Sequence, residues 1–297
     1  MSVAPVPHRG FSFGRIQAIA SNTLLDLIRQ KVFYFMLLFA IIAIAVALMA
    51  SGMPFVEQFQ VLKDASLGAM SIFSWLLVTL STAMILPKDL EDRTLYTMLA
   101  KPVSRFEYLL GKLAGVLLLL VVAMLLMSVF FALALYAREH LAVAEALRSY
   151  GDTPDGHAEI AAIRRAAFNW NLLIAIAIIF MKSAVCATLT LMLSTFATSW
   201  IFTVMVSVVV YIIGHVQPVA RDFWLSQAAD APGPLLKTFL AFVALMFPDF
   251  QLFNIVDEIV LGNAVPAWML AQSIGLGLGY VAIYTLVGYF FFANREL

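Results

Sequence analysis

The sequence predicts an all-α, polytopic integral membrane protein with six transmembrane helices. Three observations carry that prediction. Apolar residues make up 63% of the 297 and charged residues only 12%, where a soluble domain sits near half and about a quarter. The apolar residues are gathered into long uncharged runs rather than spread along the chain. Those runs approach the ~20 residues that a helix rising ~1.5 Å per residue needs to cross a ~30 Å hydrocarbon core. With no water there to satisfy a bare backbone, such runs must be helical; barrel strands would place a polar residue at every second position, and these do not.

The elements follow in order. Residues 13–31 form an amphipathic interfacial helix: Phe13, Ile16, Ile19, Ala20, Leu24, Leu27 and Ile28 share one face, while Arg15, Gln17, Asn22, Asp26 and Arg29 hold the other. A helix docked on a soluble partner is the alternative. The spans are predicted at Phe33–Ala50, Leu67–Leu86, Tyr108–Tyr136, Leu172–Thr195, Trp200–Val216 and Trp268–Ala293; the third carries Lys112 close to its start, and only the fourth carries a charge near its middle, Lys182. The 137–169 segment, with Gly151, Pro154 and Gly156, reads as an external excursion with helical pieces on each side of a turn. Residues 217–267 begin polar and then present the apolar run Leu235–Phe247, ended by Pro248-Asp249; it suits a re-entrant or interfacial helix, with a seventh span as the alternative. The whole chain, 1–297, reads as one transmembrane domain. Its first apolar run lacks a small-residue cleavage pattern and reads as a retained span.

Orientation comes from charge. With the N-terminus cytoplasmic, the inner side holds ten basic against six acidic residues and the outer side seven against twelve. Basic residues near short loops favour the cytoplasmic side, and the N-terminal tail and the 87–107 loop follow that rule. Tyr34, Tyr108, Tyr136, Trp170, Trp200 and Trp268 fall near span ends as interfacial aromatics do. Both termini are therefore expected inside.

Signals of resident chemistry are missing. Gly111-Lys112-Leu113 lacks the upstream glycine and the hydroxyl residue of a phosphate-binding loop. His8, His140, His157 and His215 have no ligand spacing, and the fourteen methionines are dispersed. No predicted span contains a carboxylate, which argues against an intramembrane aspartyl protease or a carboxylate proton relay. The single cysteine, Cys186, permits no disulfide within the chain. The expectation is a chain without catalytic, cofactor or metal residues and without a basic patch for nucleic acid.

Two features stand out. The first is the loop Pro87–Lys112, PKDLEDRTLYTMLAKPVSRFEYLLGK. Pro87 can open a helix whose positive end suits Asp89, Glu91 and Asp92, whose apolar edge is Leu95, Met98 and Leu99, and which Pro102 stops. A short amphipathic helix between two spans could seat in a groove on a soluble motor; a solvated loop without a partner fits the same residues.

From Glu91 to Lys112 the chain resembles the type-2 ATP-binding-cassette (ABC) permeases, in the positions Glu91, Thr94-Leu95, Leu99, Lys101-Pro102, Arg105 and Gly111-Lys112, with Met98 where a second Leu is common. The likeness extends to the amphipathic N-terminal helix, the six spans, Pro248-Asp249-Phe250 and the Asn-Arg-Glu-Leu tail. Within the family it is most similar to the maturation permeases of multi-copper enzymes and nitrous-oxide reductase. The resemblance implies a permease subunit, an exporter, pairing with a separate ATP-binding subunit that holds ATP and Mg. It implies a second permease copy or sister permease facing this one within the membrane lipids. It also implies a cytoplasmic coupling loop, 87–107, in which Glu91, Arg93, Thr94, Leu95, Leu99, Lys101, Pro102 and Arg105 meet the motor. The rivals are a non-conducting membrane scaffold and a lipid-modifying membrane enzyme.

The second feature is Lys182, expected roughly 15 Å of helix from either end of its span. A charge there costs a few kcal/mol on insertion scales. It should therefore face a wet translocation path, an anionic ligand, or a carbonyl or hydroxyl cluster such as Thr188 or Thr190. The alternative is a span starting near Ile174, with the ammonium reaching the headgroups. Gly275, Gly277 and Gly279, and Gly111 with Gly115, offer close-approach patches that suit packing within one subunit as well as dimerisation.

Overall fold

A computed structural model of the chain describes residues 11–49, 54–92, 103–151, 153–227 (side chains through 217), 235, 238, 247–254, 259 and 266–295. In chain order the helices are α1 (Phe13–Ile28), α2 (Lys31–Ala47), α3 (Phe55–Glu91), α4 (Arg105–Tyr150), α5 (Pro154–Ala167), α6 (Asn171–Phe196), α7 (Trp200–Gln227) and α8 (Ala267–Asn294), with a 3-10 turn at Phe250–Phe253 before α8. Among the described residues there is no strand. Five helices are long and apolar enough to cross a membrane, and a sixth span results if α1 and α2, which meet at a 65° bend, are taken as one broken span.

The centre of the bundle is α6. Every residue from Ser183 to Leu191 is buried, so no face of that stretch is left for lipid. It packs chiefly against α3 and α8, with α4 and α7 beside it. The outer helices keep one apolar stripe for the bilayer. On α7, Ile201, Met205, Val209, Ile212 and Val216 are exposed at helical spacing; on α4, Leu118, Leu125, Val129 and Leu133 are. Exposed apolar side chains on this scale belong to a protein solvated by lipid.

α1 lies along α4 because two glycines let the backbones meet. A Cβ on Gly111 would come within 2.7 Å of Ile19 Cβ, and one on Gly115 within 2.6 Å of Thr23 Cβ and 2.9 Å of the Ala20 carbonyl oxygen. Ala20, Thr23 and Leu27 are the residues α1 buries. The third-span glycines therefore serve packing within this chain. In α8 a Cβ on Gly277 would meet Met181 at 2.5 Å and one on Gly288 would meet Met192 Cα at 3.3 Å, whereas Gly275 and Gly279 have no described atom within 4 Å.

At its C-terminal end, α4 runs far past the apolar stretch to Tyr150 and stops at Gly151, whose φ of 62° favours glycine. Thr153 caps α5, accepting from the Gly156 N–H, with Pro154 in the first turn. Lys63 of α3 donates to the Ala166 carbonyl at 2.5 Å, and Arg138 of α4 donates to Gln58, so α3, α4 and α5 are joined by polar contacts at this end of the bundle.

Pro87 corrects an expectation. It does not open a helix but sits buried inside α3, which continues through Glu91. Proline removes one backbone donor and crowds the preceding turn. Packing of Leu86 and Leu90 with Tyr108, Leu109 and Phe292 holds that turn helical nonetheless. The connection between the second and third long helices is thereby narrowed to residues 92–104, of which 93–102 lie outside the described residues. The Leu235–Phe247 run falls almost wholly outside them too.

Candidate functional site

The ends of the 92–104 connection are tied into the bundle by charge. Ser104 and Glu107 form a reciprocal cap: the Glu107 N–H donates to Ser104 Oγ at 3.1 Å, and the Ser104 N–H donates to Glu107 Oε2 at 2.9 Å. The same carboxylate, on a residue 1% exposed, accepts from the Ser12 N–H at 2.8 Å and from Arg15 Nη1 at 3.0 Å. A buried carboxylate with this many donors stays ionised despite the cost of burial, and here it joins the start of α1 to the start of α4.

On the other side of the connection, Asp89 of α3 pairs with Lys112 of α4 at 2.6 Å and accepts from the Tyr108 hydroxyl. The Tyr108 ring stacks on Phe292 of α8 at 5.6 Å between centroids. Two arginines complete the network by capping helix C-termini, whose last carbonyls lack helical partners and carry the negative end of the dipole. Arg105 Nη1 donates to Ala293 O at 2.6 Å, Phe292 O at 3.0 Å and Arg295 O at 3.2 Å, closing the end of α8. Arg295 Nη1 in turn donates to Thr195 O at 2.8 Å, in the last turn of α6. The start of α4 is thus bonded to α1, α3 and α8, and the end of α8 through Arg295 to α6.

Of the residues expected at the coupling loop, Glu91 is exposed as the last residue of α3 and Arg105 is the first residue of α4, its guanidinium turned to α8. Arg93, Thr94, Leu95, Leu99, Lys101 and Pro102 lie outside the described residues. The residues that anchor the loop, Arg15, Asp89, Glu107 and Arg295, were not singled out as a site by sequence. Ser104-x-x-Glu107 was the one legible signal, a capping-box spacing before an apolar run.

The second candidate lies within the bundle. Lys182 is eleven residues from the start of α6 and fourteen from its end, so it is central to its helix. Its Nζ stands 3.0 Å from His215 Nε2 on α7. His215 Nδ1 lies 2.8 Å from the Tyr211 carbonyl. A carbonyl only accepts, so the proton resides on Nδ1 and Nε2 accepts from the ammonium. Nζ also lies over the Tyr211 ring at 5.6 Å and the Phe250 ring at 5.9 Å.

Phe250 reaches this position because α7 carries Gly214 there: a Cβ would meet the Pro248 carbonyl oxygen at 2.5 Å and the Phe250 ring at 2.6 Å. Pro248-Asp249-Phe250 is therefore a buried turn seated in a notch of α7. Thr188 and Thr190 do not serve Lys182 as expected. Their hydroxyls donate to the carbonyls of Ala184 and Cys186, each at 2.8 Å, one turn back on α6. His215, thirty-three residues from Lys182, is the partner that sequence missed; no local spacing joins them.

A family model described as ABC-2 family transporter protein matches residues 55–290. The match runs from the first residue of α3 nearly to the end of α8, taking in Asp89, the 92–104 connection, Glu107, Lys182 and His215. No curated protein is similar enough to this chain to be matched. More than half of the chain carries the family's pattern, laid over an all-α bundle of membrane-length helices, and the chain belongs to the ABC-2 family of transporter proteins, as a membrane-spanning permease subunit.

Proposed function

We propose that this permease works as an ATP-driven exporter whose ATP and Mg are held by a separate ATP-binding subunit, and that the strokes of that subunit enter through residues 92–104. One observation supports the reading: both ends of that connection are tied into the bundle by charge, through the buried Glu107 to Arg15 of α1, through Asp89 to the buried Lys112 of α4, and through Arg105 to the end of α8, whose Arg295 reaches α6. A solvated loop needs no such anchorage. A loop that receives force does, because a hinge held by buried ion pairs moves as a unit with its helices.

Glu91, exposed beside the connection, and Arg93, Thr94, Leu95, Leu99, Lys101 and Pro102 within it are proposed to meet the motor, with Arg105 passing the movement to α8. Lys182 is proposed to lie on the moving path, since α6 is reached by the relay and carries the bundle's central charge. A second permease, the same chain or a sister, would face it across that path in the bacterial cytoplasmic membrane, with both termini cytoplasmic.

Purification from native membranes in mild detergent tests the reading. A stoichiometric ATP-binding subunit, with ATPase activity that rises when substrate is supplied, is the expected result. Recovery of the permease alone, or with non-ATPase partners only, would favour a scaffold instead.

A further inference from the structure

Between α1, the end of α3 and the first turns of α4 lies a cavity of about 250 Å³. Its apolar lining is Leu27, Met84 and Ile85, and its polar lining includes Lys88 and Asp92 of α3 and Asp26 of α1. Ile85 belongs to the last turn of an apolar run and Asp92 lies just past the end of the helix, so the cavity sits at the depth where hydrocarbon gives way to headgroups.

The charges on this lining are not satisfied by one another. Asp89 and Lys112, which also border it, form their own pair. Lys88 and Asp92 form no ion pair among the described residues, and Asp26 meets Asn22 at 3.4 Å. Lysine four residues before an acid is the weaker order for a helical pair, so Lys88 and Asp92 have little reason to close on each other. Two further residues of this lining carry a buried side-chain oxygen without a hydrogen-bond partner: Thr23, only 2% exposed, and Gln30. Leaving such groups buried and unmet is costly.

Separated charges of both signs, with orphaned oxygens beside the acids, fit a zwitterion that offers N–H donors. We propose that this cavity binds the headgroup of a phosphatidylethanolamine-type phospholipid from the surrounding bilayer. Lys88 meets the phosphate; Asp26, Asp92 and the oxygens of Gln30 and Thr23 offer four acceptors to the three N–H donors of the primary ammonium. A basic side chain from a protein partner would satisfy the acids but oppose Lys88, which is why a lipid is the better occupant. The site lies against α1 and the end of α3, so the lipid would help hold the interfacial helix in place. No part of this depends on an ATP-binding partner.

The purified full-length protein is equilibrated with vesicles containing equal amounts of phosphatidylethanolamine, phosphatidylcholine and phosphatidylglycerol, re-extracted, and examined by native mass spectrometry for retained lipid. Phosphatidylethanolamine should be retained about fivefold over phosphatidylcholine, whose quaternary ammonium has no N–H, and over phosphatidylglycerol, which has no cation. Asp26→Asn with Asp92→Asn should remove that preference, Thr23→Val should weaken it, and Lys88→Gln should lower retention of all three lipids. Equal retention of the three by the unsubstituted protein would overturn the proposal whatever the variants do. So would a preference that survives the Asp26/Asp92 double substitution. A carbodiimide cross-link from Asp26 or Asp92 to a lysine of another polypeptide in native membranes would replace the lipid with a protein partner.

Discussion

Arg15 Nη1 lies 3.0 Å from Glu107 Oε2, ninety-two residues away in sequence, and this pair holds α1 against the start of α4. The carboxylate is almost wholly removed from solvent while the arginine is partly exposed. Glu107 is thus the costly half of the pair to disturb, since its loss would also leave the Ser12 and Ser104 N–H groups without their acceptor.

Glu107→Ala should lower stability on the order of 3 kcal/mol, the range seen when one partner of a buried charged network is removed. Hydrogen exchange in detergent should show the loss concentrated in α1 and the first turn of α4. Arg15→Ala should cost less, because water can replace a partly exposed guanidinium.

Gly115→Ala should separate α1 from α4. Its new methyl would meet the Ala20 carbonyl oxygen at 2.9 Å, and backbone cannot rotate away as a side chain can. A loss of about 1–3 kcal/mol is expected from such overpacking, visible as a lower unfolding temperature of the purified protein. Gly275→Ala and Gly279→Ala, with open space around them, should leave that temperature unchanged. Loss of a dimer on cross-linking in either variant would place that face of α8 at a subunit interface.

Arg105→Lys retains the charge but loses the planar fork that spans three carbonyls of the α8 terminus. Faster hydrogen exchange over the last turn of α8 is expected, with membrane insertion intact. In the assembled transporter, ATPase activity should persist while transport falls. Glu91→Ala should give the same uncoupling without the change at α8, because Glu91 is exposed at the end of α3. Wild-type transport in both variants would refute the coupling role.

Lys182→Met removes a charge from the middle of α6 and leaves His215 Nε2 without the ammonium. The protein should insert and fold at least as well, since a central membrane charge costs a few kcal/mol on insertion scales. Transport should drop. Export at the wild-type rate would take Lys182 off the path, whatever the stability change.

Much of this architecture was legible in particular residues. The run Leu172–Thr195 can only be a helix in a bilayer, and it is, as α6. The amphipathic spacing announced the helix α1, and Ala20 and Leu27 of its expected face are buried, but that face packs on α4, leaves Phe13 exposed and takes in Thr23. Pro87 was misread because a local rule for proline at helix starts competes with the burial of Leu86 and Leu90, and the packing prevailed.

Composition, run length and loop charge determine by themselves that this chain is a helical membrane protein, because hydrocarbon tolerates no unsatisfied backbone and selects helices by length alone. Those are properties of contiguous sequence. Which polar group meets which is not. Arg15 with Glu107, Arg105 with the end of α8, and Lys182 with His215 are separated by 92, 187 to 190, and 33 residues, and only the packing of the helices brings them within hydrogen-bond reach. Because isolated charges are so costly near or within a membrane, tertiary structure decides their partners, and with them the anchored loop from which a function can be argued.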